Sequence, residues 1–187
     1  PYQAARVRKI GGKSWRDVSN GSIDPTRPYR VSLPSGRTIA VFFYDGPVSR
    51  AVAFEGLLSN GEHFARRLMS ASSPSRTWPE LLHIATDGES YGHHHRHGEM
   101  ALAYALHHIQ ETGMAKLTNY GEYLAKHPPE HEVEVKACTA WSCVHGVERW
   151  NSDCGCNSGR PGWNQQWRRP LREALDWLRD EIAPRFE

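Results

Sequence analysis

The chain alternates between short continuous runs of apolar residues and longer segments in which apolar residues recur every three or four positions. The runs at residues 36–44 and 81–85 predict buried strands, because each is short and ends at a turn signal. A shorter run at residues 115–118 predicts a third strand. Charged and apolar residues alternate over residues 132–137, which is typical of a half-exposed strand.

Segments with helical periodicity lie between and after these runs. The predicted helices cover residues 48–58, 62–70, 98–113, 121–126 and 168–182. Residues 1–34 are rich in glycine, proline and arginine and predict loops with a short hairpin, while residues 141–167 predict a second loop region. Strands that alternate with helices are typical of an α/β fold with a parallel sheet, which we therefore predict.

Length and charge narrow the class of protein. The 187 residues suffice for one domain with a core, whereas a complete (β/α) barrel needs roughly 250. The net charge of +2 is spread along the sequence, so neither nucleic acid nor a membrane is predicted as a partner. The sequence holds no apolar stretch near 18 residues and no leader, and we expect a cytoplasmic protein.

The residues most indicative of catalysis follow the apolar run at residues 81–85. Two carboxylates, Asp87 and Glu89, alternate with glycine and are followed by a cluster of histidines. Gly88 allows a sharp turn after the first acid, so the pattern predicts an active-site loop at the end of a buried strand. A simple Asp-Gly turn is the alternative.

Three segments carry a family resemblance, at residues 85–109, 117–135 and 141–156. Together they resemble the later part of the catalytic domain of glycoside hydrolase family 57, in the bacterial branch related to alpha-amylase and alpha-mannosidase. The resemblance implies a retaining mechanism on alpha-linked glucans, carried out by two carboxylates on an incomplete (β/α)7 barrel. Hydrolysis and 4-alpha-glucan transfer share its covalent intermediate and stay equally open.

The resemblance assigns one of the two carboxylates and leaves the other without a match. The aspartate of the family's Asp-Gly-Glu motif falls on Asp87, the expected general acid/base. The nucleophilic glutamate belongs to an upstream motif that this sequence lacks, and Glu80 is rejected because it directly precedes the Asp87 strand. We therefore expect a fragment that is inactive alone, with the later barrel at residues 1–137, and a loop and helix at residues 138–187 leading to a missing region.

Loops after the strands build the active site of such a barrel, so Asp45, Asp87, Asn119 and the region of Trp141 are expected to converge. A glycosidase acid also needs a raised pKa, which burial against aromatic residues such as Tyr91 and Trp141 would provide. Tryptophan faces stack on sugar rings, which favours an oligosaccharide cleft. The candidate substrate-binding residues are Glu89, His93, Asp45, Trp141, His145, Glu148 and Trp150.

The cysteines Cys138, Cys143, Cys154 and Cys156 lack the paired C-x-x-C spacing of a zinc ribbon. Reduced thiols in a cytoplasmic protein are the preferred interpretation, and no metal or cofactor is predicted. A structural metal held with help from His145 and Asp153 is the first alternative. A disulfide from Cys143 to Cys154 or Cys156 is the second.

Two other function classes stay open. His93 and His97 are four residues apart, a spacing that places two imidazoles on one face of a helix, and Asp87 precedes them. This set resembles the aspartate and histidine pair of metal-dependent polysaccharide deacetylases. A non-catalytic glucan-binding module is the other alternative, because the nucleophile is not visible.

Overall fold

Five strands form one mixed sheet in the computed structural model, which describes residues 2–186. The strands are β1 (Ala4–Lys9), β2 (Arg16–Asp17), β3 (Tyr29–Ser32), β4 (Thr38–Val41) and β5 (His131–Val135). The helices are α1 (Gly46–Phe54), α2 (Gly61–Met69), α3 (Gly98–Glu111), α4 (Tyr120–Lys126) and α5 (Arg168–Ile182). The chain divides into a first unit that ends at Val135 and a second that begins at Lys136.

The strand order in the sheet is β2-β1-β5-β3-β4. β5 lies in the middle, antiparallel to β1 and parallel to β3, and the two outer pairs are antiparallel. The fold is therefore mixed α/β, and the predicted wholly parallel sheet is wrong. Since β1 and β3 both pair with a strand about a hundred residues away, this topology could not be inferred from neighbouring segments.

The two faces of β5 explain its central place. Val133 is buried in an apolar cluster with residues of β1 and β3, such as Val7 and Tyr29. On the other face, the nearly buried Glu132 carboxylate accepts hydrogen bonds from Arg8 at 2.5 Å and from Arg30 at 3.4 Å. A buried carboxylate needs such partners, so this ion pair fixes β5 between the two strands that carry the arginines.

A second apolar cluster joins α1, α2 and α3. α3 presents Ala101, Ala105 and Ile109, which share one face because they are four residues apart. Phe64 of α2 packs into this cluster with no exposed surface. Small residues bring the helices close together, since a Cβ on Gly61 would lie 2.7 Å from the ring of Tyr104.

Two of the predicted strands lie outside the sheet. Residues 81–87 have no strand partner and are held by isolated hydrogen bonds: Leu81 N donates to the Thr26 carbonyl, Asp45 N to the His83 carbonyl, and Ala85 N to Ser49 Oγ. Residues 115–118 are not a strand either, and residues 36–44 provide only the antiparallel edge strand β4. Conversely, residues 1–34 were predicted as loops with a short hairpin and contain three strands, of which β1 and β2 pair antiparallel.

The second unit consists of loops, helix α5 and two 3₁₀ turns, at Gly146–Trp150 and Ala183–Arg185. α5 has the predicted bounds, and none of its described residues is buried. Pairs four residues apart, such as Arg169–Glu173 at 2.9 Å, support the helix along its surface. Within residues 2–186, no helix combines the length and the apolar character needed to cross a lipid bilayer.

Candidate active site

Three aromatic side chains meet where the predicted strands end. The ring of His83 lies 5.8 Å from that of Phe42 and 5.5 Å from that of Tyr120, and the Phe42 and Tyr120 rings are 4.6 Å apart. Phe42 precedes Asp45, His83 precedes Asp87, and Tyr120 follows Asn119. The cluster therefore joins the three segments that were predicted to carry site residues, although those segments do not form a hydrogen-bonded sheet.

His83 is the polar centre of this cluster. Its Nε2 lies 2.9 Å from the Pro25 carbonyl oxygen, so Nε2 carries the proton and Nδ1 can accept the hydrogen bond from the Tyr120 hydroxyl at 3.0 Å. Burial lowers the pKa of His83 below its usual range, against smaller opposite effects of the Pro25 carbonyl and the Asp45 carboxylate. The neutral imidazole of His83 thus connects the segment before Asp87 with the start of α4.

Asp45 has a structural role in this arrangement. Its carboxylate accepts a hydrogen bond from Val48 N at 2.9 Å and caps the N-terminus of α1. Its backbone N–H donates to the His83 carbonyl at 3.2 Å, and Ser49 Oγ donates to the Asp45 carbonyl at 2.7 Å. The start of α1 is therefore attached to the segment that leads to Asp87.

Asp87 follows that segment and precedes a 3₁₀ turn at Gly88–Ser90. Its side chain is exposed and makes no capping hydrogen bond to the turn. Burial of Asp87 against Tyr91 was expected, and this expectation is wrong because Asp87 is exposed. The Tyr91 hydroxyl instead lies 3.0 Å from the Thr86 hydroxyl. The arrangement leaves the Asp87 carboxylate accessible to a substrate.

The histidines after Asp87 form a loop and not a helix. His93 is exposed, and its ring lies 5.0 Å from that of His94, whose Nε2 is 3.7 Å from the Glu89 carboxylate. His95 is anchored by Nε2 at 3.0 Å from the Ala53 carbonyl. α3 begins after His97, which has a left-handed φ of 64°. The predicted helical pairing of His93 with His97 is therefore wrong.

A cavity of about 560 Å³ lies beside the aromatic cluster. His83, Asn119 and Tyr120 line one side, and apolar residues of α2 and α3 line the other. Asn119 also caps α4 by accepting from Glu122 N at 2.9 Å. Asp87 does not line this cavity, so its carboxylate and the largest apolar space near the cluster are separate features.

Glu80, which is not expected to be the nucleophile, is held in a network of hydrogen bonds and ion pairs. Its carboxylate accepts from Arg76 at 2.5 Å and from Ser72 Oγ at 2.7 Å, and Arg76 also donates to Asp24 at 2.8 Å. Burial opposes its ionisation, but these donors outweigh burial and lower the pKa of Glu80. This carboxylate is engaged in holding the segment before residue 81.

The remaining candidate residues belong to the second unit. Trp141 and Trp150 are exposed, as stacking on a sugar would require, and so are Trp163 and Trp167. Glu148 accepts a hydrogen bond from Ser152 Oγ at 3.1 Å. His145 turns Nδ1 toward two cysteine sulfurs. The approach of this unit to Asp87 stays a prediction.

A metal site formed by the cysteines and His145 was an alternative to reduced thiols in the sequence. One group of side chains within residues 2–186 could hold a metal ion, and it consists of Cys143, His145, Cys154 and Cys156. Their four ligand atoms all lie within 4.8 Å of one another. All four cysteines are free thiols. Hydrogen bonds with Cys143 and Cys154 raise the pKa of Cys156 to about 11. Asp153, the other predicted ligand, instead accepts from Gln165 N at 3.0 Å.

Comparison with known families agrees with the sequence resemblance. The family model described as Glycosyl hydrolase family 57 matches residues 11–136, which is about two thirds of the chain, and contains Asp87. A model described as Domain of unknown function (DUF3536) matches residues 163–187. No curated protein matches the chain. The chain therefore belongs to glycosyl hydrolase family 57.

Proposed function

We propose that this chain supplies the general acid/base, Asp87, of a retaining glycosidase or 4-alpha-glucanotransferase that acts on alpha-linked glucans. The observation that carries the proposal is an accessible Asp87, in an Asp-Gly-Glu motif, inside the matched family segment. Family membership supports sugar chemistry, and the exposed carboxylate supports proton transfer to a bound substrate.

The chemistry assigned to Asp87 has two steps. As an acid, it protonates the oxygen of the glycosidic bond while a nucleophilic carboxylate, about 5–5.5 Å away, attacks the anomeric carbon. As a base, it then takes a proton from water or from a sugar hydroxyl, which attacks the covalent intermediate. Water completes hydrolysis, and a sugar hydroxyl completes glucan transfer.

Three other carboxylates of the first unit are occupied or poorly placed. Asp45 caps α1 and Glu80 pairs with Arg76, while Glu89 lies two residues from Asp87 in the same turn. The family resemblance implies a nucleophilic glutamate in an upstream motif, and we propose that it comes from polypeptide upstream of residue 1. Glu89 and His93 are proposed to contact sugar hydroxyls, and Trp141 and Trp150 to stack on sugar rings.

The proposed architecture is the later part of an incomplete (β/α)7 barrel. It is supported by the aromatic cluster of Phe42, His83 and Tyr120, which joins the ends of the three successive segments that were predicted as strands. Two of these segments lead directly into α1 and α4, as strands lead into helices in such barrels. Upstream strands would then pair with the extended residues 81–87.

The deacetylase alternative loses its basis in the described residues. The metal-type grouping within residues 2–186 lies in the second unit and includes neither Asp87 nor His93. A glucan-binding module without catalysis stays as the outcome that the following experiment can reveal.

The test compares Asp87→Asn with wild type in the longer protein that carries this chain. General acid help is typically worth about 10²- to 10⁴-fold, so turnover of an alpha-glucan should fall by that factor. An aryl glycoside with a good leaving group should form the intermediate nearly as fast, because it needs little protonation. Azide needs no general base, so it should restore turnover and give a glycosyl azide of retained configuration.

Glu111→Gln is the matched control, since this exposed carboxylate pairs with His107 at the far end of α3. It should keep wild-type turnover. Equal turnover of Asp87→Asn and wild type would refute the assignment of Asp87. Binding of glucan without turnover in the wild-type protein would indicate the non-catalytic module. If residues 1–187 alone matched the longer protein, the nucleophile would lie within this chain.

A further inference from the structure

The second unit has almost no apolar core. Among its described residues, only Cys143, Gly146 and Cys154 are buried, and α5 contributes none. A segment of about 50 residues cannot offset the entropy of its own ordering without a compact core or a cross-link. Small units of this size commonly rely on disulfides or a bound metal. The structure has no disulfide among its cysteines, which are all free.

Four side chains of metal-binding type converge in this unit: Cys143 and Cys154 are buried, Cys156 is half-buried and His145 is exposed. Cys143 Sγ lies 3.6 Å from Cys156 Sγ, and each of these sulfurs lies 3.5 Å from His145 Nδ1. Cys154 completes the group, with all four ligand atoms within 4.8 Å of one another. The sulfurs are too far apart for a disulfide, whose bond is about 2.05 Å.

These separations match those of one tetrahedral zinc ion. Zn–S bonds of about 2.3 Å and Zn–N bonds of about 2.0–2.1 Å place two sulfurs about 3.8 Å apart and a sulfur about 3.5 Å from a nitrogen. Oxygen-preferring cations such as Mg²⁺ and Ca²⁺ do not select three thiolates and an imidazole. The four ligands also lie too close together to enclose a cluster of several irons.

The backbone around the ligands is shaped for this convergence. Gly146 follows His145 with a φ of 65°, and a Cβ there would lie 1.9 Å from the Cys138 carbonyl oxygen, so the turn requires glycine. Gly155, between Cys154 and Cys156, has a φ of 77°. Gln165 Nε2 donates to the Cys156 carbonyl at 2.7 Å, which ties the chain before α5 to the same centre.

We propose that Cys143, His145, Cys154 and Cys156 bind one zinc ion, which forms the structural centre of the second unit. Four protein ligands fill the tetrahedron, so the ion has no open position for catalysis. On binding, the three thiols release their protons to solvent and become thiolates. Cys138 is exposed and outside the group, and serves as the built-in control.

The first test measures zinc in the purified 187-residue chain by elemental mass spectrometry after dialysis against a competing chelator. Wild type and Cys138→Ser should each retain about one zinc per chain. Cys143→Ser and Cys156→Ser should lose the zinc. Removing a residue that only hydrogen-bonds to a metal ligand typically costs about 10- to 100-fold in metal affinity, and removing a ligand itself should cost more. Equal loss in Cys138→Ser and Cys143→Ser would overturn the proposal.

A second measurement needs no variant and so does not depend on variant folding. X-ray absorption of the zinc-loaded wild type should show three sulfur neighbours at about 2.3 Å and one nitrogen neighbour at about 2.0–2.1 Å. A wild-type chain that takes up no zinc on reconstitution, or that has a mass two hydrogens short because of a disulfide, would overturn the proposal. Neither measurement uses a sugar, so either result leaves the role of Asp87 to its own test.

Discussion

Replacing Ser49 by alanine tests how the loop that bears Asp87 is held. Ser49 is buried on α1, and its hydroxyl makes two hydrogen bonds: it donates to the Asp45 carbonyl at 2.7 Å and accepts from Ala85 N at 3.2 Å. The second bond is one of the few that fix residues 81–87. Ser49→Ala therefore removes a connection between a helix and the segment that ends at Asp87.

The expected size of the effect follows from these two bonds. Each contributes a net of about 0.5–1.5 kcal/mol, or about 1–3 kcal/mol for both. Alanine favours a helix over serine by a few tenths of a kcal/mol, which leaves a loss of about 0.5–2.5 kcal/mol. For a chain of this size, the melting temperature should fall by roughly 1–10 °C.

The assay combines thermal unfolding followed by circular dichroism with amide hydrogen exchange. In Ser49→Ala, the Ala85 amide should exchange faster than in wild type, while amides of β5 should keep their protection. Ser59→Ala, an exposed position in the 3₁₀ turn after α1, is the control and should change stability by less than about 0.5 kcal/mol. An unchanged melting temperature together with an unchanged Ala85 amide would refute the reasoning.

Two further predictions concern the first unit. Phe64→Ala should cost about 3–5 kcal/mol in urea unfolding, because the side chain is fully buried between helices, and a cost below about 1 kcal/mol would contradict the described packing. Burial lowers the pKa of His83, so the unfolded chain binds the proton more readily, and stability should be complete above pH ~6.5 and fall as the pH drops toward the folded-state pKa. His83→Gln should reduce the slope of stability between about pH 7 and 5; an identical slope in variant and wild type would contradict this assignment.

The helices were predictable because their pattern is local. Periodicity gave α5 its observed bounds, and α3 begins at the predicted Gly98 and ends at Glu111, just before Gly113. A helix satisfies its own backbone hydrogen bonds, so the neighbouring sequence suffices to indicate it. The bounds of α3 and α5 could therefore be predicted without knowledge of distant residues.

The sheet was not predictable in the same way. Arg6 and Arg8 make β1 look like a polar loop, and only their partners Glu134 and Glu132, more than a hundred residues later, explain their place in a strand. Residues 81–85 have the composition of a strand, but composition does not supply a partner for their backbone. A strand is defined by a neighbour, which one segment of sequence cannot reveal.

The candidate site shows the same limit. Asp87 was predicted from its motif, because turn glycines and alternating acids are contiguous in sequence, and its catalytic role stays a prediction. The proposed zinc ligands were only an alternative at the level of sequence, because Cys143 and Cys156 are thirteen residues apart and lack the familiar paired spacing. Their convergence depends on the left-handed turn at Gly146, and a positive φ is not visible in the sequence.

The central position of β5 has a consequence for synthesis on the ribosome. β1 leaves the translation machinery more than a hundred residues before β5, its longer partner strand in the described sheet, has been made. At about 5–20 residues per second, β1 waits roughly 6–25 s with one edge unsatisfied. During that interval, β1 and the hairpin of β3 and β4 are open to pairing with other nascent chains. Slow translation of residues 10–130 should therefore favour aggregation, and holdase chaperones that cover exposed strands should improve the yield of folded protein.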